Sequence, residues 1–244
     1  MLLEHLFSAL LTEGGNVFKD KGKSETQRID LKDIKPTLKW LQSIVNLPMI
    51  TLGSVGKKAS SGDLDIAVDA KTFSKESVAN KLIGWCKANN YDSRKFYRSE
   101  GKNIHFKAPI KGDPANGFVQ VDFVFGNIAW LKFLQHAEGD ASKFTGADRY
   151  ILMNCIARYN GLRMSPDGLL SVTSERIIAE HPDTIAEVLL GPGHKESDLA
   201  SVETIMRAIY QLPNRDEILE VARESFANHG TPLPTWEELN SKWR

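Results

Sequence analysis

Apolar positions in the first half of the chain follow two kinds of spacing. Short apolar runs bounded by glycine, proline and polar residues are typical of strands. They predict strands at 49–52, 64–68, 94–98, 103–108 and 117–125. Longer segments with apolar residues three and four apart predict helices at 1–12, 33–45, 74–89 and 127–137. The helix at 33–45 is expected to have Pro36 in its first turn, and the polar run 19–27 is expected to be a loop.

The second half of the chain is predicted to be mainly helical. A helix at 148–159 is expected to end at Gly161, and the pattern is helical from Ser174 onward. Further helices are expected at 181–190, 198–212 and 215–227. The last segment, 231–244, contains two tryptophans, Trp236 and Trp243. Two alternatives are open for it: packing across the body, which is the commoner role of such aromatics, and binding of a partner.

Three aspartates interrupt the predicted strands. Asp63 and Asp65 are two residues apart, so their side chains share one face of a strand. Asp122 lies within the apolar run 117–125, where a carboxylate needs a partner to offset its desolvation. That partner is either a buried arginine or lysine, or a metal ion shared with Asp63 and Asp65. The plainest alternative for the first pair is a hairpin with two exposed aspartates.

The chemistry of these residues favours a hard cation and phosphate. Oxygen ligands suit Mg²⁺ or Mn²⁺, which proteins usually bind together with substrate phosphates. The Gly53-Ser54 turn upstream offers backbone N–H groups and a hydroxyl to such phosphates. Carboxylates beside a phosphate cradle suggest phosphoryl or nucleotidyl transfer.

Composition and charge narrow the classes of partner. The chain has 244 residues, a formal net charge of zero and two cysteines, Cys86 and Cys155, expected to be buried thiols of a cytoplasmic protein. No apolar run approaches the roughly 18 residues of a membrane span. Neutrality weakens a processive-polymerase interpretation, because duplex-DNA binding depends on phosphate neutralisation. The basic, aromatic stretch 94–111 fits a solvated sheet face and a nucleic-acid track equally well.

Two groups of motifs resemble a known family. Gly53-Ser54, the run Ser60-Ser61-Gly62-Asp63-Leu64-Asp65 and Asp122 together resemble the nucleotidyltransferase superfamily typified by DNA polymerase beta. The sequence of these motifs is closest to that of the family X DNA polymerases. Downstream, the segment 143–148 (Lys-Phe-Thr-Gly-Ala-Asp) resembles the segment with which those polymerases contact the sugar of the nucleotide. The resemblance covers about 49–170.

The resemblance implies a fold, a domain order and a site. The fold is α+β: a nucleotidyltransferase palm, with a mixed β-sheet and helices on one face, followed by a helical C-terminal part. The expected divisions are an N-terminal helical segment 1–47, a palm 48–140, a nucleotide- and acceptor-binding domain 141–230 and a tail 231–244. Two Mg²⁺ ions (or Mn²⁺) would be held by Asp63, Asp65 and Asp122, which are the catalytic residues. The nucleotide-binding residues would be Gly53, Ser54, Lys57, Lys58, Ser61 and Gly62 for the phosphates, and Phe144, Thr145 and Gly146 for the sugar.

The sequence also departs from the family pattern. Eight residues, 55–62, separate Ser54 from Asp63, one fewer than the resemblance leads us to expect. The phosphate-binding arginine of the loop therefore has no assigned counterpart, and Lys57 or Lys58 is the candidate replacement. Gln120, Ala147 and Ile151 replace residues that those polymerases use for primer, sugar and base contacts.

Three functions are compatible with these residues. The first is a metal-dependent transferase that moves a nucleoside monophosphate from an NTP or dNTP to the 3′ hydroxyl of DNA or RNA, as a minimal polymerase or a terminal-type enzyme. The second is an adenylyltransferase that uses ATP to modify a protein or a small molecule. The third is a nucleotide-binding module without activity, against which the retention of all three aspartates argues.

Overall fold

The computed structural model describes residues 17–136, 144, 146–230 and 232–241. The chain divides into two compact units, Met1–Lys132 and Phe133–Arg244. The helix predicted at 1–12 and the tryptophan at 243 lie outside the described residues. Within the described part, no helix is both long and apolar enough to cross a membrane.

The first unit combines short and long elements. Its strands are β1 (Lys19–Asp20), β2 (Lys23–Ser24), β3 (Ile29–Asp30), β4 (Ile50–Thr51), β5 (Ser60–Ser61), β6 (Asp63–Asp69), β7 (Tyr97–Glu100), β8 (Asn103–Pro109) and β9 (Phe118–Gly126). Its helices are α1 (Leu31–Val45), α2 (Lys75–Ala88) and the short α3 (Ser93–Phe96), and α4 (Ile128–Leu134) runs across the division between the units.

A five-stranded mixed sheet organises this unit. Its strand order is β4-β6-β9-β8-β7. Strands β6 and β9 are parallel, whereas the other neighbours pair antiparallel. Two small pairs, β1 with β2 and β3 with β5, complete the unit. The predicted α+β class and mixed sheet are therefore confirmed.

Helices α1 and α2 pack on one face of the sheet and form the main core with it. The central strands contribute Ile66, Phe123 and Ile104, each fully buried. Leu41 from α1 and Leu82 from α2 cover them. Because side chains alternate along a strand, the residues between these apolar positions point to the opposite face.

Three predicted boundaries or elements in this unit are wrong. Helix α1 begins at Leu31, because β3 pairs with β5 up to Asp30, and Pro36 therefore lies inside the helix. The strand predicted at 94–98 is mostly helix, since the Asp92 carboxylate accepts a hydrogen bond from the Arg94 N–H and begins α3. The loop predicted at 19–27 contains the β1–β2 hairpin.

The second unit is mainly helical, with one small sheet. It contains α5 (Gly146–Tyr159), β10 (Leu162–Ser165), β11 (Gly168–Ser171), β12 (Ile177–Ala179), α6 (Pro182–Leu190), α7 (Val202–Gln211), α8 (Arg215–His229) and α9 (Trp236–Ser241). Helix α5 is buried over most of its length. The three strands form an antiparallel sheet in the order β10-β11-β12.

The predictions for this unit are confirmed in part. The helices expected at 181–190 and 215–227 are present. The helical interpretation from Ser174 onward is wrong at β12, because a three-residue strand is too short for its spacing to differ from that of a helix. The Trp236 ring lies 4.5 Å from that of Tyr210, measured between centroids, but 38% of the residue is exposed, so it is packed only on one side.

Candidate functional site

A row of polar residues crosses the face of the sheet opposite α1 and α2. Asp65 on β6 is the register partner of Asp122 on β9, and Asp122 is the partner of His105 on β8. Asp63 lies two residues before Asp65 on the same face, opposite Gln120. The fold thus brings the three predicted aspartates onto adjacent positions of two parallel strands.

This polar row ends where the same face becomes apolar. Two residues beyond the aspartates, Ala67 and Val124 form a small buried cluster with Leu52 and Leu131. Asp65 itself is partly buried. The carboxylates therefore lie between solvent and an apolar wall, where electrostatic interactions are stronger than in bulk water.

Asp122 has two hydrogen-bond donors from the protein. His105 Nδ1 donates to Oδ1 at 2.9 Å, and Gln120 Nε2 donates to Oδ2 at 3.0 Å. The Asp122 side chain is only 13% exposed and that of His105 10%. These bonds offset the cost of burying the carboxylate. The partner expected for Asp122 was a buried arginine, a buried lysine or a metal ion, and the structure supplies a histidine and an amide.

Gln120 is held in turn by the N-terminal segment. Its Oε1 accepts a hydrogen bond from the Val17 N–H at 3.0 Å, and the side chain is buried. The Gln27 N–H bonds to the Phe118 carbonyl at 2.8 Å. The segment before β3 therefore lies along the beginning of β9, and it fixes the amide that orients Asp122.

The basic, aromatic stretch 94–111 is largely committed to packing and ion pairs. Phe96 and Phe106 are buried in the main core. The Lys107 ammonium is buried, 3.2 Å from Glu25 Oε2 and 4.4 Å from the centre of the Phe96 ring. Arg94 pairs with Asp92 and Lys111 with Asp33. These buried aromatic rings cannot stack on bases, so they give no support to a nucleic-acid track.

The glycine-serine loop begins beside the acidic strand. The Leu52 N–H donates to the Asp65 carbonyl at 3.0 Å, and the next residue, Gly53, has a φ of +60°. A residue with a side chain adopts this left-handed backbone only at a cost, which explains the glycine. Ser54, Lys57 and Lys58 are exposed on the loop.

The loop returns to the acidic strand β6 through β5, which pairs with β3. Ser61 is 4% exposed, and within the described residues its Oγ has no hydrogen-bond partner. A buried hydroxyl without a partner is costly and is often explained by a missing ligand or ion. Gly62 follows and leads directly into Asp63 on β6.

Arg28 is a residue of this region that the sequence did not indicate. Its guanidinium binds Ser60, through Nε to the hydroxyl at 3.1 Å and through Nη2 to the carbonyl at 3.0 Å. Arg28 is far from the loop in sequence, and only the pairing of β3 with β5 brings the two together. No local motif could have predicted this contact.

The residues expected to contact the sugar belong to the second unit. Phe144 is buried there, and Gly146 is the first residue of α5. Thr145 lies outside the described residues. Ala147 and Ile151 are both buried within α5. The sugar contact stays a prediction.

The three aspartates do not form a complete set of metal ligands by themselves. Across residues 17–136, 144, 146–230 and 232–241, no three His, Cys, Asp or Glu side chains are grouped closely enough to hold a metal ion. Asp63, Asp65 and Asp122 thus share one face of the sheet, but they are not grouped as a ready metal site.

No protein-family model matches the chain. No curated protein matches it either. The functional interpretation therefore depends on the residues of the site and on the resemblance of their motifs.

The two cysteines are buried and free, as predicted. Burial raises the pKa of the Cys86 thiol to about 11, and it also raises the pKa of Cys155. Because the thiolate is the reactive form, both side chains are poor nucleophiles at neutral pH. Neither thiol is therefore a candidate nucleophile.

Proposed function

We propose that this chain is a nucleotidyltransferase with a palm fold, which moves a nucleoside monophosphate from an NTP or dNTP to an acceptor hydroxyl. The observation that carries the proposal is the register of Asp65 with Asp122 on parallel strands, with Asp63 on the same face. Three carboxylates in this arrangement, beside a glycine-serine loop, suit a substrate that brings both phosphate and a divalent cation.

The donor set fits Mg²⁺ in its chemistry, because all the donors are carboxylate oxygens. Mg²⁺ is usually bound by one or two carboxylates together with substrate phosphates, and not by a cage made of protein alone. Asp63, Asp65 and Asp122 would hold two such ions. When bound, Mg²⁺ neutralises the triphosphate and lowers the pKa of the acceptor hydroxyl.

The chain's own residues have separate tasks in the reaction. The acceptor oxygen forms a bond to the α-phosphorus, while the bond from that phosphorus to the oxygen bridging the β-phosphate breaks and pyrophosphate leaves. The acceptor proton passes to a carboxylate oxygen of Asp122. His105 and Gln120 hold that carboxylate in one orientation through their hydrogen bonds.

The phosphates would be held by the loop between β4 and β6. Backbone N–H groups near Gly53 and Gly62, together with the Ser54 hydroxyl, can donate to phosphate oxygens. The exposed Lys57 and Lys58 add positive charge. The buried Ser61 hydroxyl, which lacks a partner in the described part of the chain, is a further donor.

A protein or small-molecule acceptor is the second candidate. The rings in the stretch 94–111 that suggested nucleic acid are largely core residues, and three of its cations form ion pairs. With zero net charge, the chain offers less attraction to a polyanion than a dedicated nucleic-acid binder does. These observations favour an adenylyltransferase over a polymerase as far as the acceptor is concerned.

The test is incorporation of each labelled NTP and dNTP, with Mg²⁺, into gapped DNA, single-stranded DNA, bulk RNA and a protein extract. The blank is the Asp63→Ala/Asp65→Ala protein. Label in a nucleic acid would identify a 3′-end transferase, whereas label in the extract would identify a protein or small-molecule acceptor. If the wild type and the blank give the same label in every acceptor, the proposed function is wrong.

A further inference from the structure

Arg28 lies beside the loop that leads into the acidic strand. Strand β3 pairs with β5 so that Ile29 is opposite Ser61 and Asp30 is opposite Ser60. Continuing this antiparallel register places Arg28 opposite Gly62, the residue before Asp63. A Cβ built on Gly62 would lie 3.4 Å from Arg28 Nη1. The Arg28 guanidinium thus lies beside the residue that precedes Asp63, the first of the three aspartates.

Two hydrogen bonds fix the guanidinium but leave most of it available. Nε and one N–H of Nη2 bind the Ser60 hydroxyl and carbonyl. Both N–H groups of Nη1 and the second N–H of Nη2 remain for a ligand. The side chain is exposed, and no carboxylate of the described residues forms an ion pair with it. A fixed, exposed guanidinium that has no counter-ion among the described residues is well suited to an anion.

We propose that Arg28 binds the terminal phosphates of the nucleoside triphosphate, an inference that rests on the proposed function. Arginine binds phosphate through parallel N–H bonds, and its fixed orientation limits the entropy lost on binding. Lys57 and Lys58 are exposed on the turn between β4 and β5, and a lysine ammonium lacks the planar fork with which arginine binds phosphate.

The pairing of β3 with β5 connects Arg28 to the rest of the site. The N-terminal segment binds the loop through Arg28 and β3, and it binds β9 through the Val17 bond to Gln120. The same segment therefore fixes a phosphate-binding group and the amide that orients Asp122. On this account the residues before α1 are part of the nucleotide site.

Calorimetric titration with inorganic tripolyphosphate, ATP and AMP, each with Mg²⁺, tests the proposal. Arg28→Gln removes the charge but can still donate to Ser60, whereas Arg28→Lys keeps the charge. We expect Arg28→Gln to weaken tripolyphosphate and ATP binding about 10- to 100-fold, as for the loss of a charged hydrogen bond. AMP binding should stay unchanged, and Arg28→Lys should fall between the wild type and Arg28→Gln.

Two further variants separate phosphate binding from loop support. Ser60→Ala removes the hydroxyl that accepts from Nε, and it should leave ATP affinity within about threefold of wild type, since Nη2 still binds the carbonyl. Arg94→Gln, which removes an exposed arginine paired with Asp92, is the matched control and should bind ATP as the wild type does.

The outcomes distinguish this inference from the proposed function. If the wild type binds ATP and Arg28→Gln binds it equally well, the role of Arg28 is wrong while the proposed function stands. Equal losses in Ser60→Ala and Arg28→Gln would also overturn it, because they would indicate support of the loop. If the wild type binds neither ATP nor tripolyphosphate, both proposals are wrong.

Discussion

The two faces of the five-stranded sheet carry side chains of opposite character on the same three strands. On the face covered by α1 and α2, Ile66, Phe123 and Ile104 are fully buried and contact one another through the main core. On the other face, the residues one position away are Asp65, Asp122 and His105. The backbone is shared, so the difference lies in the side chains alone.

This comparison separates stability from function along each strand. The apolar face supplies the burial that stabilises the unit. The polar face buries carboxylates at a cost, and that cost is offset by specific donors such as His105. A fold that needed only stability would gain more from apolar residues at these positions. The polar row is therefore best explained by chemistry, and substitutions on the two faces should have different consequences.

The largest effect is expected from Asp65→Ala on the polar face. Loss of a carboxylate that holds the metal ions should lower the rate of nucleotidyl transfer by about 10³-fold or more. The free energy of unfolding should change far less, because Asp65 lies outside the main core. The measurement is Mg²⁺-dependent label transfer, together with denaturant unfolding. An Asp65→Ala protein that keeps its activity would contradict the mechanism.

Phe123→Ala tests the apolar face. It removes a fully buried ring, and it should lower the free energy of unfolding by about 3–5 kcal/mol. At a temperature where the variant stays folded, its rate of transfer should fall much less than that of Asp65→Ala. Urea unfolding measures the loss, and Phe123→Leu, which leaves a smaller cavity, should lose less. A Phe123→Ala protein as stable as the wild type would contradict the assigned core.

His105→Ala tests the connection between Asp122 and its donor. Removing one hydrogen bond to a largely buried carboxylate should cost about 1.5–3 kcal/mol of stability. A double-mutant cycle with Asp122→Ala should show a coupling energy, because each side chain depends on the other. Additive losses in the cycle would mean that the 2.9 Å contact contributes nothing.

The smallest effect concerns Asp69, at the far end of β6. Hydrogen bonds from the Thr72 hydroxyl and the Lys71 N–H lower its pKa below the ordinary 3.8. A carboxyl whose pKa is lowered by folding stabilises the folded state at pH values above its pKa in the unfolded chain, which is 3.8. This contribution is lost as the pH falls from 3.8 through the lower pKa of the folded state. The gap in unfolding free energy between the wild type and Asp69→Ala should be less than about 1 kcal/mol at neutral pH, since Asp69 is only partly buried and solvent screens its charge.

That gap should narrow as the pH is lowered from 5 to 2, which unfolding at a series of pH values can measure. Asp69→Ala is also the matched control for Asp65→Ala, because it removes a carboxylate from the same strand and the same face. It should transfer label at the wild-type rate. A widening gap at low pH would contradict the assigned hydrogen bonds.

The sequence predicted the local parts of this site better than its long-range contacts. The spacing of Asp63 and Asp65 gave their shared face, and the apolar run around Asp122 gave its strand. Their register depends on the parallel pairing of β6 with β9, which no local pattern specifies. His105 and Arg28 were missed as partners for the same reason, since each meets its partner only through the pairing of strands.

Errors in the predicted elements have a similar physical origin. The polar run 19–27 has a loop-like composition, yet it forms a hairpin whose Glu25 pairs with the buried Lys107. The strand β12 is too short to show a period, and its pairing with β11 decides its conformation. Tertiary contacts override local preference in both segments.

The most direct test of the central claim is Mn²⁺ binding measured by the electron paramagnetic resonance signal of the free ion. Mn²⁺ suits the same oxygen ligands as Mg²⁺. With a non-hydrolysable nucleoside triphosphate, the wild type should reduce the free-ion signal below the level given by the nucleotide alone. The Asp63→Ala/Asp65→Ala protein should leave the signal at that level. Equal signals from the two proteins would contradict the assignment of the polar face as a metal and nucleotide site.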